Sequence, residues 1–246
     1  MTDTQFIRGP NGQIAYEWVG GDSTLPPIVF LHGFKSDMAG SKAEFLKSYC
    51  LQTGRDFLRF DMNAHGRSAG DFMHFTIGKA LADTEFMIGE ALCHPAIIIG
   101  SSMGGWIGLR LLQTMPQKIH GYIGIAAAPN FTRKISNALT DEQQKELREN
   151  GFITEDSGYA EPYIFTQKLF DDGENHCLLD QAIEYNGPVH LIQGKQDTSV
   201  DWRMPEAIRK CFSHDIKITL IDDGDHSLSR ESDLNILKSA VEEMSS

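Results

Sequence analysis

Gly100-Ser101-Ser102-Met103-Gly104-Gly105 follows the apolar run Ile97-Ile98-Ile99 and leads into Trp106-Ile107-Gly108-Leu109. Read as strand, sharp turn and helix, this stretch is a Gly-x-Ser-x-Gly elbow. Its glycines have a steric task. The serine sits at a strained turn, so the residues two positions away must be small. The helix that follows points its N-terminal dipole at the serine and favours negative charge developing there. A bare Gly-x-Ser-x-Gly is only moderately specific, and the flanking strand and helix sharpen it. The pattern nominates Ser102 as a nucleophile.

A serine hydroxyl is a weak nucleophile and needs a base within hydrogen-bond reach. Two later stretches supply an acid and a base. Gln193-Gly194-Lys195-Gln196-Asp197 follows the apolar run Val189–Ile192, and Asp222-Asp223-Gly224-Asp225-His226 follows Ile216–Ile221. Both lie at the C-terminal ends of expected strands, where the sites of parallel sheets assemble. His226 is the candidate base. Asp197 is the candidate acid because it comes directly after the strand and its turn glycine; Asp201, four residues on, is a rival.

Leu31-His32-Gly33-Phe34 closes the run Pro27–Leu31. The glycine lets the chain turn and present an N–H, so the amides of Phe34 and Met103 are the expected oxyanion donors. His32 is expected to brace this loop. Asp61-Met62-Asn63-Ala64-His65-Gly66-Arg67-Ser68 is expected to be a structural turn, with His65 in place of a small residue. Trp106, Tyr163 and Phe165 are candidate substrate-binding residues, and Phe34 and Met103 could join them in an acyl pocket. Plain core packing would suit each equally well.

Outward from these motifs, short continuous apolar runs alternate with helix-like segments. Strands are expected at Gln13–Val19, Pro27–Leu31, Phe57–Phe60, Ala96–Ile99, Tyr122–Ala126, Val189–Ile192 and Ile216–Ile221. Helices are expected at roughly 40–53, 76–93, 104–114, 203–212 and 230–244. This alternation favours a mostly parallel sheet covered by helices on both faces. From about Asn130 to Gln181 no strand stands out, and Thr140-Asp141-Glu142-Gln143 has capping-box character. A second helix is expected near Phe165–Phe170. An excursion this long is expected to be a small cap inserted in a single domain spanning 1–246. Phe131, Leu139, Phe152, Tyr159, Tyr163 and Phe165 are its candidate apolar walls.

The 246 residues carry a net charge of −12, which excludes charge-driven binding of nucleic acid or anionic membrane. Purely apolar runs are far shorter than the ~18 residues of a membrane span. Cys50, Cys93, Cys177 and Cys211 are widely spaced and suggest neither a metal nor a redox motif. Met1-Thr2-Asp3-Thr4-Gln5-Phe6 lacks the basic start and apolar core of a signal peptide, so a cytoplasmic location is expected.

The His-Gly loop, the acidic turn, the elbow, and the acid and base in order resemble the α/β-hydrolase superfamily over essentially the whole chain. Gly100–Trp106, His176-Cys177-Leu178-Leu179 and Gly224-Asp225-His226 are similar, more narrowly, to the mitochondrial palmitoyl-protein thioesterases that also hydrolyse acyl glucuronides, and to their bacterial relatives. The resemblance implies an α/β-hydrolase fold and a Ser102–Asp197–His226 triad. It also implies hydrolysis of a carboxylic ester or acyl thioester through an acyl-enzyme. The expected partner is a small-molecule ester or thioester, with acylated protein a further candidate. No metal or cofactor is expected. The alternatives are C–C bond hydrolysis on the same scaffold and a catalytically silent binding protein.

Overall fold

The computed structural model describes residues 3–155 and 162–245. Its strands are β1 (Gln5–Gly9), β2 (Gly12–Val19), β3 (Ile28–Leu31), β4 (Phe57–Phe60), β5 (Ala96–Ser101), β6 (Ile119–Ile125), β7 (Phe152–Glu155), β8 (Tyr163–Thr166), β9 (Val189–Gly194) and β10 (Lys217–Ile221). Its helices are α1 (Ser41–Thr53), α2 (Ile77–Ala91), α3 (Met103–Thr114), α4 (Phe131–Ala138), α5 (Asp141–Asn150), α6 (Gln167–Asn175), α7 (Met204–Arg209) and α8 (Glu231–Met244). Eight strands form one sheet in the order β1-β2-β4-β3-β5-β6-β9-β10. The pairings of β1 with β2 and of β2 with β4 are antiparallel, and the rest are parallel.

The continuous apolar runs arise because both faces of the sheet are covered. Successive side chains on a strand point to opposite faces. Ile98, Val29 and Leu58 enter one core with residues of α2 and α3. Their neighbours Ile97, Ile99, Ile28 and Phe57 enter a second core with residues of α1 and α8. Every strand C-terminus in the parallel part points to the same edge, which is where Ser102, Asp197 and His226 lie.

Three strands were not expected from sequence. β1 is an edge strand paired with β2 through a tight turn, and its residues are largely exposed, so it carries no apolar run. β7 and β8 correct the expectation that the 130–181 excursion lacks strands: they pair antiparallel from Phe152↔Thr166 to Glu155↔Tyr163. Four residues each are too few for an alternation to declare itself. The second helix of the excursion begins at Gln167, two residues later than expected, because Thr166 Oγ1 accepts the Leu169 N–H at 3.1 Å and caps it. The capping box is formed by Thr140 and Gln143 at the start of α5. α4 packs on α6, and α6 packs on α2, which seats the excursion beside the sheet edge. Tyr159, one of the candidate wall residues, lies outside the described residues.

Candidate active site

Ser102 occupies the turn between β5 and α3 with φ 53° and ψ −113°. A non-glycine residue there costs about 1–3 kcal/mol and persists only where its surroundings over-determine it. They do so here. The Ser102 N–H donates to Ile125 O at 2.9 Å, and the Ser102 carbonyl accepts the Ala128 N–H at 3.1 Å. The flanking glycines allow the approach. A Cβ on Gly100 would stand 2.3 Å from Gly104 O, and one on Gly104 would stand 2.2 Å from Leu31 O.

His226 Nε2 lies 3.2 Å from Ser102 Oγ, and His226 Nδ1 lies 2.8 Å from Asp197 Oδ2. The carboxylate accepts only, so Nδ1 carries the proton and Nε2 offers its lone pair to the serine hydroxyl. The Asp197 side chain is completely buried, while that of His226 is 32% exposed. Burial pushes the Asp197 carboxyl up, but the His226 hydrogen bond and the backbone N–H groups of Val200 and Ser199 outweigh it. The net effect holds the carboxyl below the usual carboxylate range. Asp201 is elsewhere: it accepts the Arg203 N–H at 2.9 Å in an exposed turn.

The Gly33–Phe34 loop runs beside the serine, since a Cβ on Gly33 would meet Ser102 Oγ at 3.9 Å. Met103 opens α3, where its N–H has no intrahelical acceptor. Two neutral histidines fix the loop. His32 Nε2 accepts the Met62 N–H at 3.0 Å, so its Nδ1–H donates to Gly33 O. His65 Nε2 accepts the Lys35 N–H at 3.1 Å, and its Nδ1–H donates to Asn63 O. Burial pushes His32 down to about 4 and, with the neighbouring His32, pushes His65 down to about 3. Both therefore stay uncharged across the neutral range. Asp61 secures the adjoining turn by accepting the N–H groups of Met38 and Arg67.

Phe34 sits among aromatic rings from the body and from the excursion. Phe165 stacks on it at 5.5 Å, and Phe131 and Tyr163 lie at 5.6 and 5.8 Å. Phe72 and Phe75 complete the cluster. Two of the candidate substrate-binding residues, Trp106 and Phe165, are enclosed. Trp106 is fully buried, donates its indole N–H to His176 O at 3.0 Å and packs edge-on against Phe131. It supports the cluster from behind. Phe165 is also buried, at 3% exposure, between Phe34 and Phe170. Tyr163 and Phe131, also in this cluster, are half-buried.

Some participants escaped the sequence reading. Gln193 donates its amide to Asp197 Oδ2 at 2.8 Å and is buried. Its signal was faint: a polar residue ending an apolar strand. Phe72 and Phe75 gave a clearer one, as aromatic residues within the polar loop Gly70–Thr76. Among the described residues no group of His, Cys, Asp and Glu side chains has the arrangement of a metal site.

The Hydrolase_4 family model, described as serine aminopeptidase, S33, matches residues 25–149. The mitochondrial palmitoyl-protein thioesterase ABHD10 of Mus musculus is 32% identical over 238 residues, covering 94% of this chain and 78% of the relative. The solved structure of alpha/beta hydrolase domain-containing protein 10 from mouse matches with a TM-score of 0.90 at 29% identity over 98% of both chains. A structure from Agrobacterium vitis S4 matches with a TM-score of 0.92 at 33% identity over 100% of both chains.

Proposed function

The chain belongs to this family of α/β-hydrolases, and from that premise we propose that it is a serine hydrolase cleaving carboxylic esters or acyl thioesters through an acyl-enzyme. The observation that carries the proposal is the unbroken hydrogen-bonded line from Ser102 Oγ through His226 to Asp197. Ser102 attacks the acyl carbon while His226 Nε2 takes the hydroxyl proton. The N–H groups of Phe34 and Met103 receive the oxygen as it becomes negative. His226 then passes the proton to the leaving oxygen or sulfur, and Asp197 stabilises the imidazolium in between. A water activated by His226 releases the acyl group.

Similarity to a palmitoyl-protein thioesterase supports acyl thioesters, acylated protein included, as substrates. The aromatic cluster around Phe34 supports an apolar acyl group. A fluorophosphonate probe and a panel of C2 to C16 esters and thioesters test the proposal. Ser102→Ala should abolish both labelling and turnover, while Ser101→Ala should keep substantial activity. A dead Ser101→Ala beside an active Ser102→Ala would move the nucleophile by one position and defeat this reading.

A further inference from the structure

His226 stands on the loop between β10 and α8, and that loop is conformationally costly. Leu228, two residues on, has a φ of 44°. Such a residue holds its place only if other contacts keep it there. Asp225 Oδ1 accepts the Leu228 N–H at 2.9 Å, a contact within the loop itself. The Gln196 N–H donates to Gly224 O at 2.8 Å, from the neighbouring acid loop. The Leu228 side chain is buried in the second core, and a further anchor comes from a distant part of the sequence. Lys42, on the first turn of α1, donates from Nζ to Ser227 O at 2.5 Å and to Ser229 Oγ at 3.4 Å.

We propose that Lys42 is a positioning residue, whose ammonium clamps the Ser227 carbonyl and so holds the His226 imidazole in line between Asp197 and Ser102. The proposal rests on the catalytic reading above. Lys42 is half-buried, with Asp225 of the loop and Asp233 of α8 facing its charge. Burial lowers its ammonium to about 8, against the pull of those two carboxylates, so it remains mostly charged at neutral pH. A half-buried ammonium gains from strong acceptors, and the carbonyl next to His226 is one of them. The imidazole alternates between accepting from Ser102 and donating to the leaving group, so its position bears directly on turnover.

Lys42→Met and Lys42→Arg test the clamp, with a p-nitrophenyl ester as substrate and a fluorophosphonate for covalent labelling. A misplacement of about 1 Å can cost ~10²-fold in rate, so Lys42→Met should lower kcat and the labelling rate by roughly 10- to 100-fold. KM should stay within about twofold, because the acyl pocket is untouched. Melting temperature should hold, and Lys42→Arg should recover most of the loss. The low-field proton resonance of His226 Nδ1–H, bonded to Asp197, should exchange faster with solvent in Lys42→Met. If Lys42→Met keeps its kcat, or loses kcat only in proportion to melting temperature with no recovery in Lys42→Arg, the clamp is overturned. Wild-type labelling at Ser102 separates the two ideas. A labelled wild type with a fully active Lys42→Met removes the clamp alone, whereas a wild type that does not label removes the catalytic reading and the clamp with it.

Discussion

Asp197 and Asp201 have the same carboxylate and differ in what reaches it. Asp197 is buried and accepts from His226, Gln193, Ser199 and Val200. Asp201 is exposed, and its carboxylate accepts from Arg203. Asp197→Asn should therefore cost roughly 10⁴ in kcat by presenting the wrong imidazole tautomer. Asp201→Asn should change kcat little, and steady-state kinetics on one ester decides the pair. Equal losses would mean that the geometry misassigns the acid. Much of this was legible in sequence: Ser102, Asp197 and His226 were nominated from turns after strands. The tautomer was not legible, because it depends on which atom lies 2.8 Å from Nδ1. Gln193 and Lys42 were missed for a related reason. Each acts through a contact that its own neighbours in sequence do not announce.

The β5–Ser102–α3 elbow shows how one element limits its own composition. Gly104 has no room for a side chain because the β3 backbone is 2.2 Å from where its Cβ would be. Backbone cannot swing away like a flexible side chain, so Gly104→Ala should destabilise by about 1–3 kcal/mol or more. Gly89, exposed near the end of α2, meets nothing within 4 Å. Gly89→Ala should stabilise by roughly 0.5–1 kcal/mol, since alanine loses less backbone entropy in a helix. Urea unfolding of the two variants beside wild type checks both signs. The excursion between β6 and β9 makes a different prediction. Tyr163 is half-buried against Phe34, whereas Phe165 is fully packed. Each methylene brought out of water is worth ~0.8 kcal/mol, so kcat/KM should rise from C2 to at least C6 esters. Tyr163→Ala should flatten that rise and spare acetate. Phe165→Ala should lower melting temperature, with losses of about 3–5 kcal/mol, and slow all substrates alike. A native enzyme fastest on acetyl esters would rule out the acyl wall.

At the scale of the whole molecule, two cores on opposite faces of one sheet enclose several neutral histidines. His32 and His190 are pushed down to about 4 and His65 to about 3, each chiefly by burial. The unfolded chain takes up these protons below about pH 6.5, and the folded chain cannot until far lower. Their contribution to stability is therefore complete above about pH 6.5 and is lost as pH falls towards about 4. Asp61 and Asp83 are raised by burial and act with the opposite sign, so total stability is a poor probe of the histidines. His190 is remote from the active site and bonds Thr219 Oγ1 at 2.8 Å. Subtracting the stability of His190→Gln from that of wild type removes the contributions of Asp61 and Asp83 and leaves those of His190 and its neighbour Glu243. The difference should shrink as pH falls from about 6.5 towards about 4. A difference independent of pH would show that His190 takes its proton as readily in the fold as in the unfolded chain.

Sequence alone determined the layer architecture, because strands buried on both faces must be largely apolar, as β3 and the Ile97–Ile99 run of β5 are. It determined the elbow as well, because only small residues fit around a serine at that turn. It did not determine β1, β7 or β8, which are too short or too exposed to leave a pattern and exist through pairing. Nor did it separate Trp106, which is enclosed, from Tyr163, which is half-buried: an aromatic residue looks the same in sequence whether it walls a pocket or backs one. Tertiary structure decided that difference in burial, along with which aspartate bonds His226 and the reach of Lys42 to Ser227. Each of these depends on a distance between segments far apart in the chain or on what a fold covers, and such quantities come into being only when the sheet brings its loops to one edge.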